Sequence, residues 1–158
     1  MKKVLLILAL SLIAFSAKAQ LYAGGAVSFQ AVGGGTAVIN LAPEVGYSFN
    51  ENMGVGGILS FGTANGTNVT MRPYFRYSFL KLGDVSLFAD ADLLLNIQNN
   101  GNNTTTTTFG AGIRPGIGYA PARHISFAAH IGQLGYYGGG FVAGVNTNAL
   151  SIAAYYVF

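Results

Sequence analysis

Beyond its first twenty residues, this chain has no apolar run long enough for a membrane-spanning helix, yet its residues alternate. In Val85–Asn96, one phase holds Val85, Leu87, Ala89, Ala91, Leu93 and Leu95, and the other holds Ser86, Phe88, Asp90, Asp92, Leu94 and Asn96. Met71–Leu80 repeats the pattern, with Met71, Pro73, Phe75, Tyr77 and Phe79 against Arg72, Tyr74, Arg76 and Ser78. A period of two is the signature of strands with one apolar and one polar face. The chain is 51% apolar and only 8% charged, with 23 glycines and no cysteine. Soluble domains carry about 25% charged residues. An ordinary soluble enzyme and a charge-rich disordered chain are therefore excluded, as are disulfides and thiolate metal sites.

Residues 1–19 have a different character. Lys2 and Lys3 precede an apolar stretch from Val4 to Phe15, and Ala17-Lys18-Ala19 forms a small-x-small cleavage signal. This is the pattern of a secretory signal peptide, and it is too short for a span of roughly 20 residues. The expected domains are a signal at 1–19 and one β domain at 20–158. Of the eight Lys and Arg residues, cleavage removes Lys2, Lys3 and Lys18. The remaining five balance Glu44, Glu51, Asp84, Asp90 and Asp92, so the mature formal charge is zero. Bulk charge then gives no reason to expect a nucleic-acid partner.

Turn residues divide the mature chain into eight strands, at roughly 20–30, 37–49, 53–62, 69–80, 85–96, 108–120, 124–137 and 147–158. Short connections at Asn50–Asn52, Lys81–Asp84 and Pro121–Arg123 alternate with longer ones at 31–36, 63–68, 97–107 and 138–146. Strict alternation of short and long connections predicts an all-β, eight-stranded antiparallel up-and-down transmembrane barrel.

An internal repeat supports the barrel. Pro43 and Tyr47, Pro73 and Tyr77, and Pro115 and Tyr119 share a Pro-x-x-x-Tyr spacing, each running into a short turn. Tyr47, Tyr77 and Tyr119, with Phe49, Phe79 and Tyr156, are expected to form an aromatic belt at one membrane boundary. Phe29, Phe61, Phe109 and Tyr137 are candidates for the opposite belt. The alternative is the aromatic core of a soluble β-sandwich. Proline cannot donate to a ladder, so bulges or missing hydrogen bonds are expected at these positions.

The charges settle which face meets lipid. Glu44, Arg72, Arg76, Asp90, Asp92 and Arg114 share one phase, and His130 joins them. Pointed inward, they form a mid-barrel network of three acids and three bases, with Arg76 opposite Asp90, Arg72 near Asp92 and Arg114 near His130. Paired ions are tolerated in such an interior, and an eight-stranded barrel is just wide enough for side chains to fill it. A structural plug is the favoured reading over a proton or ion path. A lipocalin-like barrel would instead expose these ions and little other charge, a poor basis for solubility. Glycines 54, 56, 110, 112, 116 and 118 share the inward phase and make room for bulky neighbours.

The final strand carries Leu150, Ile152, Ala154, Tyr156 and terminal Phe158 on one face. With the signal and eight strands, it resembles small bacterial outer-membrane barrels of the OmpX/OmpA type. The Pro-x-x-x-Tyr strands are similar to the outer membrane protein beta-barrel domain family of Bacteroidota. The resemblance implies an outer-membrane location with periplasmic short turns and extracellular long loops. It also implies lipid as a partner, and Phe158 as a signal for the barrel-assembly machinery. It assigns no common activity.

Candidate chemistry is sparse. His124-Ile125-Ser126 resembles the His-x-Ser of lipid A deacylases, but it lies at a short turn and no acid follows Asp92. Asp90 and Asp92 sit beside Arg72 and Arg76, which suits salt bridges better than an acid–base pair. His124 and His130 lie about 20 Å apart along a strand and cannot share a metal ion. No phosphate-binding glycine motif occurs. The expected function is therefore a non-enzymatic envelope or surface-contact protein without a cofactor. The alternatives are a narrow channel or a lipid-modifying enzyme. The uncharged run Asn99–Thr108 is the one candidate contact surface, either as a solvated loop or as an extension of two strands that offers an edge to a partner.

Overall fold

A computed structural model describes residues 20–32, 36–62, 67–99, 104–145 and 150–158, with the backbone alone for 28–32, 36–40, 62 and 67. The signal segment and the Phe29 side chain lie outside the described residues. The strands are β1 (Gln20–Val32), β2 (Thr36–Ser48), β3 (Met53–Gly62), β4 (Thr67–Leu82) and β5 (Val85–Asn99). They continue with β6 (Thr105–Ala122), β7 (Ile125–His130), β8 (Gln133–Tyr137), β9 (Gly140–Gly144) and β10 (Ser151–Val157). Each pairs antiparallel with its neighbours, and β1 meets β10 from Tyr22↔Val157 to Ser28↔Ser151. β7 and β8 form the seventh stave and β9 and β10 the eighth. The result is a closed, all-β, eight-stranded antiparallel barrel.

The short turns follow local chemistry. The Asn50 side-chain oxygen accepts from the Asn52 and Met53 amides, both at 2.8 Å, which closes the β2–β3 turn. Gly83 takes φ 61° between β4 and β5, a left-handed conformation that favours glycine.

The long-loop side departs from the sequence reading. The expected loop at 138–146 is a two-residue turn, with Gly138 and Gly139 at φ 62° and 88° linking β8 to β9. Two positive φ values suit the twist of a tight hairpin. The eighth stave therefore starts at Gly140, and its described strands end at Gly144 and resume at Ser151. The region expected as a loop at 97–107 is largely strand, because β5 and β6 pair out to Asn99↔Thr105.

Three ladder defects fall at prolines, apart from a register shift between Ser78 and Leu80. β2 leaves β3 above Glu44↔Ile58, immediately before Pro43. The β4–β5 register omits Arg72 and Pro73 between Met71↔Leu95 and Tyr74↔Asp92. Opposite Pro115, the seventh stave breaks and carries one extra residue between Gly116↔His130 and Ile113↔Leu134. Each defect answers a missing proline N–H.

The two faces separate cleanly. Leu41, Val45, Leu93 and Ile152 are exposed on the outer wall, while Glu44, Asp90, Asp92, Arg114 and His130 are buried within. Aromatic rings fill the lumen by lying over inward glycines. A Cβ at Gly46 would strike Tyr22, one at Gly56 would strike Tyr74, and one at Gly116 would strike Phe88. Glycine thus makes room for bulky neighbours as the inward phase predicts, and the neighbours are rings, two tyrosines and a phenylalanine.

Candidate functional site

The lumen is filled by two linked tiers of polar side chains. In the lower tier, nearer the short turns, the Arg76 guanidinium donates to both oxygens of Asp90, at 2.7 and 2.8 Å. The 83–84 turn sets this pair, since it places Arg76 directly across from Asp90. Arg76 lies 4.2 Å from the Phe88 ring centre and 5.0 Å from that of Tyr74. Glu44 lies 3.8 Å from Arg76 and accepts a hydrogen bond from Tyr74, whose hydroxyl also meets that of Tyr22 at 2.7 Å.

The upper tier centres on Asp92. Arg114 Nε lies 2.5 Å from Asp92 Oδ2, close but off the line of a hydrogen bond. Arg72 Nε stands 3.6 Å away, and the Tyr137 hydroxyl donates to Asp92 Oδ1 at 2.7 Å. Arg114 also reaches down to Asp90 at 3.9 Å, joining the tiers. Three carboxylates face three guanidinium groups, so the formal charges of the six cancel. Bidentate Arg–carboxylate pairing and added hydrogen bonds are what such burial requires.

His130 connects Asp90 to Ser151, with Nε2 at 2.7 Å from Asp90 Oδ2 and Nδ1 at 3.1 Å from Ser151 Oγ. The order Ser–His–Asp is that of a hydrolase triad. Two features argue for a structural role. Asp90 is already held by Arg76, and the imidazole is 1% exposed, packed edge-on against Phe88 at 5.4 Å. A nucleophile's base must work beside a substrate, whereas this one is sealed between strands.

The sequence pairing is realised for Arg76 with Asp90 and for Arg72 with Asp92. Arg114 turns to the two aspartates rather than to His130. Sequence reasoning does not single out Tyr22, Tyr137, Tyr155 or Ser151 as lumen residues. Tyr74 shares the phase of Arg72 and Arg76 and is buried with them, as the alternation predicts. Tyr137 was expected in the outer belt, but it points inward and Tyr136 takes the exposed face. His124 and Ser126 do not form a site. The His124 ring stacks on Tyr156 at 5.6 Å and hydrogen-bonds the Val157 carbonyl at 2.7 Å, while Ser126 lines the barrel mouth.

Among the expected belt residues, Tyr77, Phe79, Tyr119 and Tyr156 are exposed on the outer wall. Tyr47 and Phe49 are partly buried and meet edge to face at 5.5 Å. Phe158 packs against Tyr156 at 5.0 Å and donates its amide to Leu21 at 2.9 Å. Below the lower tier, a vestibule of about 220 Å³ opens among the short turns, with Arg76, Tyr22 and Tyr155 in its lining. Among the described residues, no cluster of His, Asp or Glu has metal-binding geometry.

A closed sheet with an apolar exterior and neutralised ions inside defines a transmembrane β-barrel. Residues 4–158 match the family described as "Outer membrane protein beta-barrel domain", and the chain belongs to that family. Its place is the outer membrane, embedded in lipid. The crystal structure of the N-terminal beta-barrel domain of Pseudomonas aeruginosa OprF has a similar fold, with a TM-score of 0.64 at 12% identity. That match covers 89% of this chain and 96% of OprF's. Neisserial surface protein A (NspA) matches with a TM-score of 0.54 at 18% identity, over 89% of this chain and 97% of that one. No curated protein matches the sequence.

Proposed function

We propose that the protein is a sealed, non-catalytic barrel that contributes to envelope structure and surface contact. The observation that carries this reading is the lumen itself, where Arg76, Asp90, Glu44, Arg114 and Asp92 neutralise one another between layers of aromatic rings. A plug of this kind stabilises the wall and leaves no continuous water path at its level. Planar-bilayer recordings of the purified barrel are expected to show no steady conductance. Reproducible single-channel steps would replace this reading with that of a narrow channel. Fluorophosphonate probes are expected to leave Ser151 unlabelled, and labelling lost in His130→Ala would establish hydrolase chemistry.

In this reading, residues 1–19 are a signal removed after Ala19, the short turns are periplasmic, and Phe158 engages the barrel-assembly machinery. Deleting Phe158 is expected to lower the yield of the heat-modifiable folded form. A second reading concerns the outer face. β4, β5 and β6 run for 16, 15 and 18 residues, and the long-loop ends of β5 and β6 are rich in Thr and Asn. Above Phe109, whose carbonyl accepts from the Gly138 amide at 3.3 Å, the described β6 residues Thr105–Thr108 have ladder partners in β5. Such an edge suits an extended polypeptide that adds as a strand. Thr106→Pro is expected to abolish surface contact of this kind while leaving the barrel folded.

A further inference from the structure

We propose that the vestibule among the short turns is a binding site for one neutral sugar unit. The proposal goes beyond the sealed-plug reading and stands whether or not the lumen conducts. The cavity holds about 220 Å³. Sites for drug-sized ligands run to roughly 300–1,000 Å³, so this one admits a single ring. Its wall carries Ser48, Asn50, Asn52, Ser78 and Ser126, all uncharged side chains that donate and accept hydrogen bonds. The serines continue the inward phases of Glu44 on β2, Arg76 on β4 and His130 on β7. Charge does not set the choice of ligand. Arg123 and Glu51 both line the mouth, and Arg76 at its inner end is already held by Asp90. Hydroxyl groups therefore suit this wall better than a carboxylate or phosphate.

The inner end of the cavity points the same way. Tyr22 and Tyr155 meet there edge to face, with ring centres 5.3 Å apart. The other lumen tyrosines spend their hydroxyls inside the wall, Tyr22 with Tyr74, Tyr74 with Glu44 and Tyr137 with Asp92. Tyr155 is 5% exposed, and its hydroxyl has no hydrogen-bond partner among the described residues. Glu44 Oε2, in the same tier, also lacks one, so these two groups stop short of bonding to each other. A phenylalanine would pack against Tyr22 without leaving a polar atom unanswered. A sugar hydroxyl in the vestibule accepts from Tyr155 and still has a proton to donate. Val157 beside it offers apolar surface to the C–H face of the ring.

The test is amide NMR of the chain isolated from outer membranes and reconstituted in nanodiscs, titrated with glucose and separately with glucuronate. These probes differ by one carboxylate. Glucose is expected to give saturable shifts at Asn52, Gly54, Ser126 and Tyr155, and none at Thr106 or Gly110 towards the other mouth. Tyr155→Phe is expected to weaken glucose binding about fivefold, the loss of one neutral hydrogen bond. The same variant is expected to keep the parent's urea unfolding midpoint, because no partner within the wall is lost. A lowered midpoint with unchanged glucose binding would make the hydroxyl structural and overturn the assignment. Glucose shifts that do not saturate, or that appear equally at both mouths, would overturn the site. Tighter binding of glucuronate than of glucose would overturn the neutral class.

Discussion

The lower and upper halves of the barrel obey different rules. From the short turns up to the level of Glu44, all eight staves are paired, with only local register shifts near Phe79 and Pro121. Higher up, β2 parts from β3 and the seventh stave breaks opposite Pro115. Polar organisation follows the same division. Asp90 has a bidentate partner, a histidine and a second arginine, whereas Asp92 relies on one tyrosine hydrogen bond and less aligned ion pairs. The lower half is specified by interlocking contacts that fail together. The upper half carries its irregularities where proline removes a ladder donor.

This contrast can be broken most forcefully at Arg76. Arg76→Ala removes the bidentate partner of Asp90 and the guanidinium beside Glu44 among buried rings, and losing one partner of a buried pair costs about 3–5 kcal/mol. Urea unfolding followed by gel shift is expected to show that loss, and bilayer recordings of the surviving folded fraction are expected to show new conductance. Gly116→Val forces a side chain into Phe88 and is expected to cost about 1–3 kcal/mol in the same assay, as overpacking does. Arg72→Ala sharpens the comparison from above. Asp92 keeps Arg114 and Tyr137, and the Arg72 side chain is 20% exposed, so a loss of about 1 kcal/mol is expected. Thr106→Lys, on the exposed end of β6, is expected to leave the unfolding midpoint within about 0.5 kcal/mol of the parent.

Much of the lower half was legible in the sequence because a period of two assigns every residue of a strand to a face at once. Arg76 and Asp90 could be turned inward and paired from turn position alone, and the same count reaches up to Arg72 and Asp92 in the upper tier. The upper half was harder to read. Thr104–Thr108 has the composition of a solvated loop, but β-branched threonines paired with Asn96–Asn99 continue the ladder. Gly138 and Gly139 looked like part of a long loop, yet two glycines in succession make a tight turn. Tyr137 was misplaced because the extra residue near Gly132 shifts the phase of the stave, and one inserted residue moves every later side chain to the opposite face. The Ser151–His130–Asp90 chain spans three staves and has no local spacing that would reveal it.

The central claim is that Leu93 and its phase meet lipid while Phe88 and its phase are sealed inside. The chain has no tryptophan, so a single introduced indole reports without background. Leu93→Trp and Phe88→Trp barrels can be reconstituted separately in bilayers containing brominated acyl chains, with fluorescence quenching measured for each. Strong quenching at position 93 and little at position 88 is the predicted result. Equal quenching at both, or stronger quenching at 88, would contradict it.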